Sequence, residues 1–474
     1  MKADDPQPLA MGTYRTSLLI VAPIVATILV AIHAPGQMSV DSVTALYESL
    51  AGQAVGWGPP FFAAVLAWLG GGSLGAAIFV ALNTLATYGA FVALLLAGVE
   101  PGRFMRWRVL AALVLAVNPL FMFYVGILWK DVLLATCAAS AIVLLLLQPR
   151  WRGVPFLLSV LCATICIAAL PLIRQQGVLL SVPLALASAW SVASRAALTR
   201  PFRLATAAGV LVLTGMIGGL LAKAAATRVA PLPASPVSVG IATIQVYDII
   251  GMVAYARPDD AAAWTEAGKE AIRRMQVGYS PERIDTLWRD EAVRGYSDNL
   301  SSGRLQTIWW SGIKHDPVAY LTHRVQAFAT LMGVGDVIGC VPAYWGVAGD
   351  NRQLAAVGLT EEMDPRDRML GRLAGWLAPS PVFRHWWYAG LLLVAGVFLL
   401  RKHEEGGAFA ARAAAVGAGA YLLSFLPTTI ACDVRYLYPV AMVATLLCIH
   451  LLLRPRGLAG AAPSARAYKR GGNG

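Results

Sequence analysis

Ten apolar runs divide the chain and constrain its fold more than any other feature, because a transmembrane helix needs about 20 apolar residues. Hydrophobic residues make up 58% of the 474 positions and charged residues 14%, which is more apolar than a soluble core requires. The sequence therefore predicts an all-α polytopic membrane protein with about ten transmembrane helices. These helices are predicted near 17–34, 74–98, 109–126, 131–147, 154–172, 177–194, 204–222, 387–401, 408–430 and 437–453.

The first run is interpreted as an uncleaved transmembrane helix. It follows a short polar segment that carries Lys2 and Arg15, which resembles the start of a secretory signal peptide. However, Ile32 and Ala34 form a poor small-x-small cleavage site, and many further apolar runs follow.

Basic residues in the short loops predict the orientation. With the N-terminus in the cytoplasm, every basic short loop falls on the cytoplasmic side, as the positive-inside rule requires. The net charge of +12 is then explained by topology and anionic lipid, so nucleic acid need not be invoked. We therefore predict a multi-pass protein of the bacterial inner membrane with both termini cytoplasmic. The residues concerned are Arg103, Arg106, Arg108, Arg150, Arg152, Arg195, Arg200, Arg203, Arg401, Lys402 and, in the tail, Arg454, Arg456, Arg466, Lys469 and Arg470.

This topology divides the chain into three parts. Residues 1–222 form an N-terminal transmembrane module with a first outer loop at 35–60, residues 223–386 a mainly helical extracytoplasmic region, and residues 387–474 a C-terminal transmembrane module and tail. Within the first outer loop, 43–50 is predicted to be a short interfacial helix with Asp41 or Ser42 as its N-cap. Cys340 and Cys432 lie outside the apolar runs and are the candidates for a disulfide, and no CxxC or Cys/His metal spacing is present.

Three predicted outer hairpin connections each carry a cation, in opposition to the positive-inside bias. A charged side chain at the bilayer centre costs about 2.5 to 3.5 kcal/mol, so these groups are better placed at the outer interface. A shared anionic ligand at that face would explain all three. The connections are Leu128-Trp129-Lys130-Asp131, Arg174-Gln175-Gln176-Gly177 and the segment from Cys432 to Pro439, which contains Asp433, Arg435 and Tyr436.

These segments together resemble the GT-C superfamily of integral membrane glycosyltransferases, which includes protein mannosyltransferases and aminoarabinose transferases. The resemblance rests on an acid early in the first outer loop, on the Gly-Pro-Pro-aromatic segment GPPFF (58–62), on the Arg-polar-polar-Gly connection and on the Asp-x-Arg-Tyr-x-x-Pro connection. The ILWKD segment (127–131) resembles a branch of bacterial members. Many members carry paired acids in the first loop, whereas here Asp41 is followed by Ser42, so the sequence does not support a divalent metal and no cofactor is assigned.

The resemblance implies transfer of a hexose or pentose, with inversion, from a polyprenyl-phosphate donor to an envelope acceptor (glycan, lipid or protein) at the outer face of the membrane. Cations that hold the departing phosphate stabilise the transition state more than the ground state. Lys130, Arg174, Arg435 and Tyr436 are therefore predicted to bind the donor phosphate. Asp41 is predicted to be the catalytic base, and Asp131, Gln175, Gln176 and Asp433 are secondary candidates.

Each of these residues also has a structural interpretation. Asp41 is suited to capping a helix, Arg174 to extending from a helix end towards the interface, and Arg435 with Tyr436 to anchoring the chain at the membrane surface. Lys130 and Asp131 are sequence neighbours and would not face each other on one helix, so a local turn or separate partners are expected, and a purely structural hairpin remains an alternative. At the level of function, an O-antigen-type polymerase or ligase and a lipid or polysaccharide transporter or flippase remain as alternatives.

Overall fold

The computed structural model describes residues 8–56, 58–98, 105–195, 199–335, 340–401 and 408–453. Arg103, Lys402 and the basic tail, used above to predict orientation, lie outside these described residues. The described chain is helical and contains no β-strand. Its first half comprises α1 (Pro8–His33), α2 (Val40–Ala51), α3 (Phe61–Trp68), α4 (Gly72–Ala97), α5 (Met105–Ala116), α6 (Pro119–Tyr124), α7 (Lys130–Leu147), α8 (Gly153–Ile173), α9 (Val178–Arg195) and α10 (Arg200–Arg228).

The second half adds eleven helices, most of them short. They are α11 (Pro236–Tyr255), α12 (Pro258–Thr265), α13 (Lys269–Gly278), α14 (Glu291–Asp298), α15 (Ser302–His315), α16 (Pro317–Leu331), α17 (Asn351–Ala356), α18 (Pro365–Leu377), α19 (His385–Arg401), α20 (Ala408–Ser424) and α21 (Tyr438–Leu453).

Nine helical stretches of the described chain are long and apolar enough to cross a membrane, by length and composition. Eight coincide with predicted runs, which confirms an all-helical, multi-pass membrane protein; the number of spans stays a prediction. They are Tyr14–His33, Gly72–Ala97, Arg106–Tyr124, Lys130–Arg150, Gly153–Ile173, Gln175–Arg195, Arg200–Arg228, Val237–Tyr255 and Val434–Leu453.

One predicted span is shorter in the structure, a second falls below the length needed to cross a membrane, and one apolar helix was not predicted. The run at 408–430 is helical only to Ser424, because Pro427 lacks an N–H and disfavours helical backbone in the residue before it. Together with His385–Arg401, it forms a pair of helices of 17 residues, about 26 Å each at 1.5 Å per residue. The unpredicted stretch, Val237–Tyr255, lies within the region that the sequence assigned entirely to the outer side.

The buried side chains form three clusters. The largest joins the long helices and surrounds α7 and α21, whereas α10 packs on α8 and α9 and leaves most of its apolar surface exposed. A second cluster is built by α11 to α16, with Tyr247, Met252 and Trp264 at its centre. The third joins α2, α3 and α4 to α17. The region predicted as one outer unit therefore divides: 236–331 has its own core, while α17 and α18 pack on the transmembrane helices and the first loop.

Candidate functional site

A cavity of about 350 Å³ opens where the three cation-bearing connections meet the first loop. Asp41, Lys130, Arg174 and Arg435, separated by up to several hundred residues in sequence, all line it. The cavity thus gathers the charges that the sequence singled out at one end of the helix bundle. Gln175, Gln176 and Tyr436 also line it.

Helix α2 forms the acidic wall of the cavity. It begins at Val40, earlier than predicted, and Ser39 is its N-cap: the Ser39 N–H donates to Ser42 Oγ at 3.1 Å. The predicted capping by Asp41 or Ser42 is therefore wrong, and Asp41 lies in the first helical turn. Trp129 Nε1 donates to Ser39 Oγ at 2.8 Å, which fixes the start of α2 against the Lys130 connection.

The register of α2 turns two carboxylates toward the cavity. Asp41, Thr44, Ala45 and Glu48 line it, and positions i, i+3, i+4 and i+7 share one helix face. The sequence interpretation gave Glu48 no role. This spacing was the signal that would have placed Glu48 beside Asp41.

Arg435 lies between two carboxylates. One of its terminal nitrogens lies 2.5 Å from Asp41 Oδ2, and the other lies 3.1 Å from Asp433 Oδ2. Its guanidinium carbon is 5.0 Å from the centroid of the Trp129 ring, within cation–π range. Asp433 in turn accepts a hydrogen bond from Arg283 at 2.6 Å. Arg435 is therefore held from behind by Asp433 while its cavity side meets Asp41.

Arg174 is held by a buried carboxylate and an aromatic ring. It forms an ion pair with Asp131, whose side chain is fully inaccessible to solvent, and its Nε donates to Gln176 Oε1 at 3.1 Å. Its guanidinium carbon lies 4.6 Å from the Tyr436 ring centroid. The turn that presents Arg174 needs a glycine at Gly177, because a Cβ there would overlap the Leu170 carbonyl.

Lys130 and Asp131 serve different partners, as expected for neighbours on one helix. Lys130 is the first residue of α7 and lines the cavity. It approaches Gly58 closely: a Cβ added to Gly58 would lie 3.2 Å from Lys130 Nζ. Asp131 faces away and pairs with Arg174. Neither Asp131 nor Asp433 lines the cavity. Asp41 and Glu48 are the lining carboxylates, so they are the two placed to reach a ligand.

The two lining carboxylates have opposite electrostatic environments. Arg435 holds the pKa of Asp41 below its ordinary value, although 63% of the Asp41 side-chain surface is exposed. Burial raises the pKa of Glu48, whose Oε1 accepts hydrogen bonds from the Val55 and Gly56 N–H groups at 2.8 and 2.7 Å. Asp41 is therefore the more strongly ionised of the two.

Most of the other lining residues are apolar. The first turns of α11 contribute Val237, Gly240, Ile241 and Ile244, and α3 contributes Phe62. Val237 and Ile241 are each about half exposed. The cavity lining therefore combines charged and apolar residues, which suits an amphipathic ligand with an anionic head.

Two links position the Arg435 connection: the disulfide for which the sequence offered candidates, and Arg324, to which the sequence interpretation gave no role. Cys340 and Cys432 form a disulfide with Cα atoms 5.4 Å apart, immediately before Asp433. Arg324 is buried in the second cluster, donates to the Thr429 carbonyl at 2.8 Å and pairs with Asp248 at 2.5 Å. The chain that leads to Arg435 is therefore fastened to α11, to α16 and to the segment around Cys340.

Among the described residues, no group of three or more His, Cys, Asp or Glu side chains is arranged to hold a metal ion. Three carboxylates around the cavity are instead paired with arginines: Asp131 with Arg174, and Asp41 and Asp433 with Arg435. An incoming anion would therefore compete with carboxylates for the guanidinium groups.

No protein-family model, curated protein or solved structure matches the chain. Function is therefore argued from the chemistry of the site.

Proposed function

We propose that the protein is a membrane glycosyltransferase of GT-C type that transfers a sugar from a polyprenyl-phosphate donor to an envelope acceptor. This proposal rests on one observation: a single cavity is lined by three cations from distant connections, Lys130, Arg174 and Arg435, together with two carboxylates. Breaking the glycosidic bond leaves an added negative charge on the polyprenyl phosphate. Fixed cations at this position stabilise that charge as it develops.

The wall composition supports a lipid-linked donor. With the phosphate bound by the cations, the prenyl chain would contact apolar lining residues such as Val237, Ile241 and Phe62. Arg174 and Arg435 suit the head group because a guanidinium can contact two phosphate oxygens in fixed geometry. The acceptor hydroxyl then needs a carboxylate within hydrogen-bond reach, a role for which the sequence predicts Asp41.

The disulfide supports placing the cavity at the extracytoplasmic face. Disulfides persist in oxidising compartments such as the bacterial periplasm and are rare in the cytosol. Cys432 directly precedes Asp433, and Cys340–Cys432 therefore lies at the cavity end of the bundle. A transporter would instead place polar groups near the membrane midplane, typically on broken helices.

The test is sugar transfer by the purified protein in liposomes. The donor is a polyprenyl-phosphate-sugar fraction extracted from source membranes, and released polyprenyl phosphate is measured by mass spectrometry. Arg435→Gln should abolish release, whereas Arg304→Gln, in an exposed ion pair with Glu266, should not. Absence of release by the parental protein would contradict the proposal, and transfer from a lipid-linked oligosaccharide alone would identify a polymerase or ligase. Comparing envelope glycans and lipids with and without the gene would identify the sugar and acceptor.

A further inference from the structure

We propose that Glu48 is a catalytic residue of this site and that Glu48, rather than Asp41, accepts the proton of the acceptor hydroxyl. This inference rests on the proposed transfer function. It assigns separate tasks to two carboxylates on one face of α2: Asp41 orients a cation, and Glu48 moves a proton.

The position of Glu48 suits a proton acceptor. Its side chain is buried yet lines the cavity. Two backbone N–H groups, those of Val55 and Gly56, hold Oε1, so the carboxylate has one orientation before any ligand arrives. A general base needs such fixed placement within hydrogen-bond reach of the hydroxyl.

Asp41 is less suited to this role. Its Oδ2 lies 2.5 Å from an Arg435 nitrogen, and Arg435 lowers its pKa. Protonating Asp41 would therefore mean giving up the attraction of Arg435. A carboxylate with a depressed pKa is also a weak proton acceptor, since catalytic efficiency follows basicity.

The surroundings of Glu48 act in the opposite direction. Burial raises its pKa, while the Gly56 and Val55 N–H groups and the charge of Lys130 partly offset that rise. Helices α3, α4 and α17 also pack on α2. Helices α3 and α4 contain no Asp, Glu, Lys, Arg or His, and α17 carries only Arg352, which is exposed. Neighbouring titratable groups whose environments separate their pKa values often divide acid–base roles between them.

The proposed step balances as follows. The acceptor oxygen forms a bond to the anomeric carbon as the bond from that carbon to the phosphate oxygen breaks. The electron pair of the broken bond stays on the polyprenyl phosphate, which faces Lys130, Arg174 and Arg435. The hydroxyl proton passes to Glu48, which later releases it to water.

The decisive variant is Glu48→Gln, because a glutamine oxygen can still accept both backbone hydrogen bonds. A general base contributes about 100- to 10,000-fold, so we expect kcat for release of polyprenyl phosphate to fall at least about 100-fold, with donor KM and thermal stability unchanged. The matched control is Glu291→Gln, on an exposed helix start, which should behave as the parental protein.

The pH profile separates a proton-transfer role from a structural one. Because the pKa of Glu48 is raised, the acid limb of kcat/KM should lie above the ordinary glutamate pKa, should persist in Asp41→Asn and should vanish in Glu48→Gln. Parental activity in Glu48→Gln, or loss of that limb in Asp41→Asn instead, would overturn the assignment while leaving glycosyl transfer intact. A parental protein that binds donor but transfers no sugar would overturn the proposed function and this assignment together.

Discussion

At the scale of single residues, both arginines of the cavity are paired with carboxylates. Arg174 pairs with buried Asp131, and Arg435 lies between Asp41 and Asp433. The two arginines therefore differ in what their removal would expose. Loss of Arg435 leaves carboxylates that water can reach, whereas loss of Arg174 leaves a carboxylate sealed in the protein.

Arg435→Lys tests the geometry of phosphate binding. Lysine keeps the charge but loses the fork that contacts two oxygens. Deleting a comparable transition-state contact costs about 2.7 to 4 kcal/mol, or roughly 100- to 1000-fold in rate. We therefore expect Arg435→Ala to show most of this reduction in rate and Arg435→Lys to show part of it. Arg304→Lys is the control, and all rates are measured as polyprenyl phosphate release. Parental rates in both Arg435 variants would favour an interface anchor.

Asp41→Asn tests competition between the aspartate and the donor for Arg435. The substitution keeps the size of the side chain but removes its charge, so a phosphate no longer has to displace it. Since Asp41 is largely exposed, the pair is worth at most about 1 kcal/mol, and we expect polyprenyl phosphate in nanodiscs to bind up to about fivefold more tightly. Asp259→Asn, an exposed change, is the control. Weaker binding would mean that Asp41 helps to hold the donor.

Arg174→Ala should act first on stability. Leaving Asp131 buried without its partner costs about 3 to 5 kcal/mol, so we expect a lower thermal unfolding temperature in detergent. The double variant Arg174→Ala with Asp131→Ala should regain much of that loss, because no charge is left buried. Equal stability of the single and double variants would show that the ion pair does not contribute in this way.

At the scale of elements, the start of α2 sets which side chains reach the cavity. Ser39 is the N-cap residue of α2, and its hydroxyl oxygen accepts a hydrogen bond from the Trp129 indole N–H. Trp129 also lies under Arg435. The N-cap, the Lys130 connection and the Arg435 connection therefore share one contact point.

Ser39→Ala should consequently affect both stability and activity. Losing an N-cap costs about 1 kcal/mol, and the Trp129 N–H loses its acceptor as well. The control is Ser301→Ala, which removes the N-cap of α15, where Ser301 Oγ accepts the Arg304 N–H. Neither Ser301 nor Arg304 lines the cavity. We expect a lower thermal unfolding temperature for both variants, with the larger shift for Ser39→Ala, and a reduced transfer rate for Ser39→Ala alone. Equal transfer rates in the two variants would show that the Ser39 cap does not affect the site.

At the scale of the whole molecule, the outer region is fastened to the bundle through the segment that leads to Arg435. Cys432 is joined to Cys340, and its N–H donates to the Glu282 carbonyl at 2.8 Å. Arg283, the next residue, pairs with Asp433. Three distant parts of the chain therefore meet at one connection.

Breaking the disulfide should loosen that connection. Cys340→Ser with Cys432→Ser opens a link between residues 92 apart in sequence, and loss of such links typically costs about 2 to 4 kcal/mol. We expect a lower thermal unfolding temperature and a reduced transfer rate, and alkylation of Cys340 and Cys432 in the parental protein only after reduction. Cys162→Ser, at an exposed free cysteine, is the control. Alkylation without reduction would show that the two thiols are not paired.

The sequence by itself determined the helical, membrane-embedded class and most of the long helices, because runs of about 20 apolar residues have few other stable outcomes. It also singled out Lys130, Arg174 and Arg435, since charge among apolar runs needs a reason to be there. It missed the early end of α20, the apolar helix Val237–Tyr255 and the start of α2. Helix ends depend on local contacts such as the Ser39 cap, which a hydropathy pattern does not contain.

Only the tertiary structure decided how the charges are partnered. Sequence neighbours Lys130 and Asp131 face different groups, Asp433 supports Arg435 from behind, and Glu48 enters the cavity wall beside Asp41. These outcomes depend on which helices pack together and on burial, and both arise from contacts between residues that lie far apart in the chain. Composition and periodicity describe one segment at a time, so they indicate which charges are unusual but leave their partners unspecified.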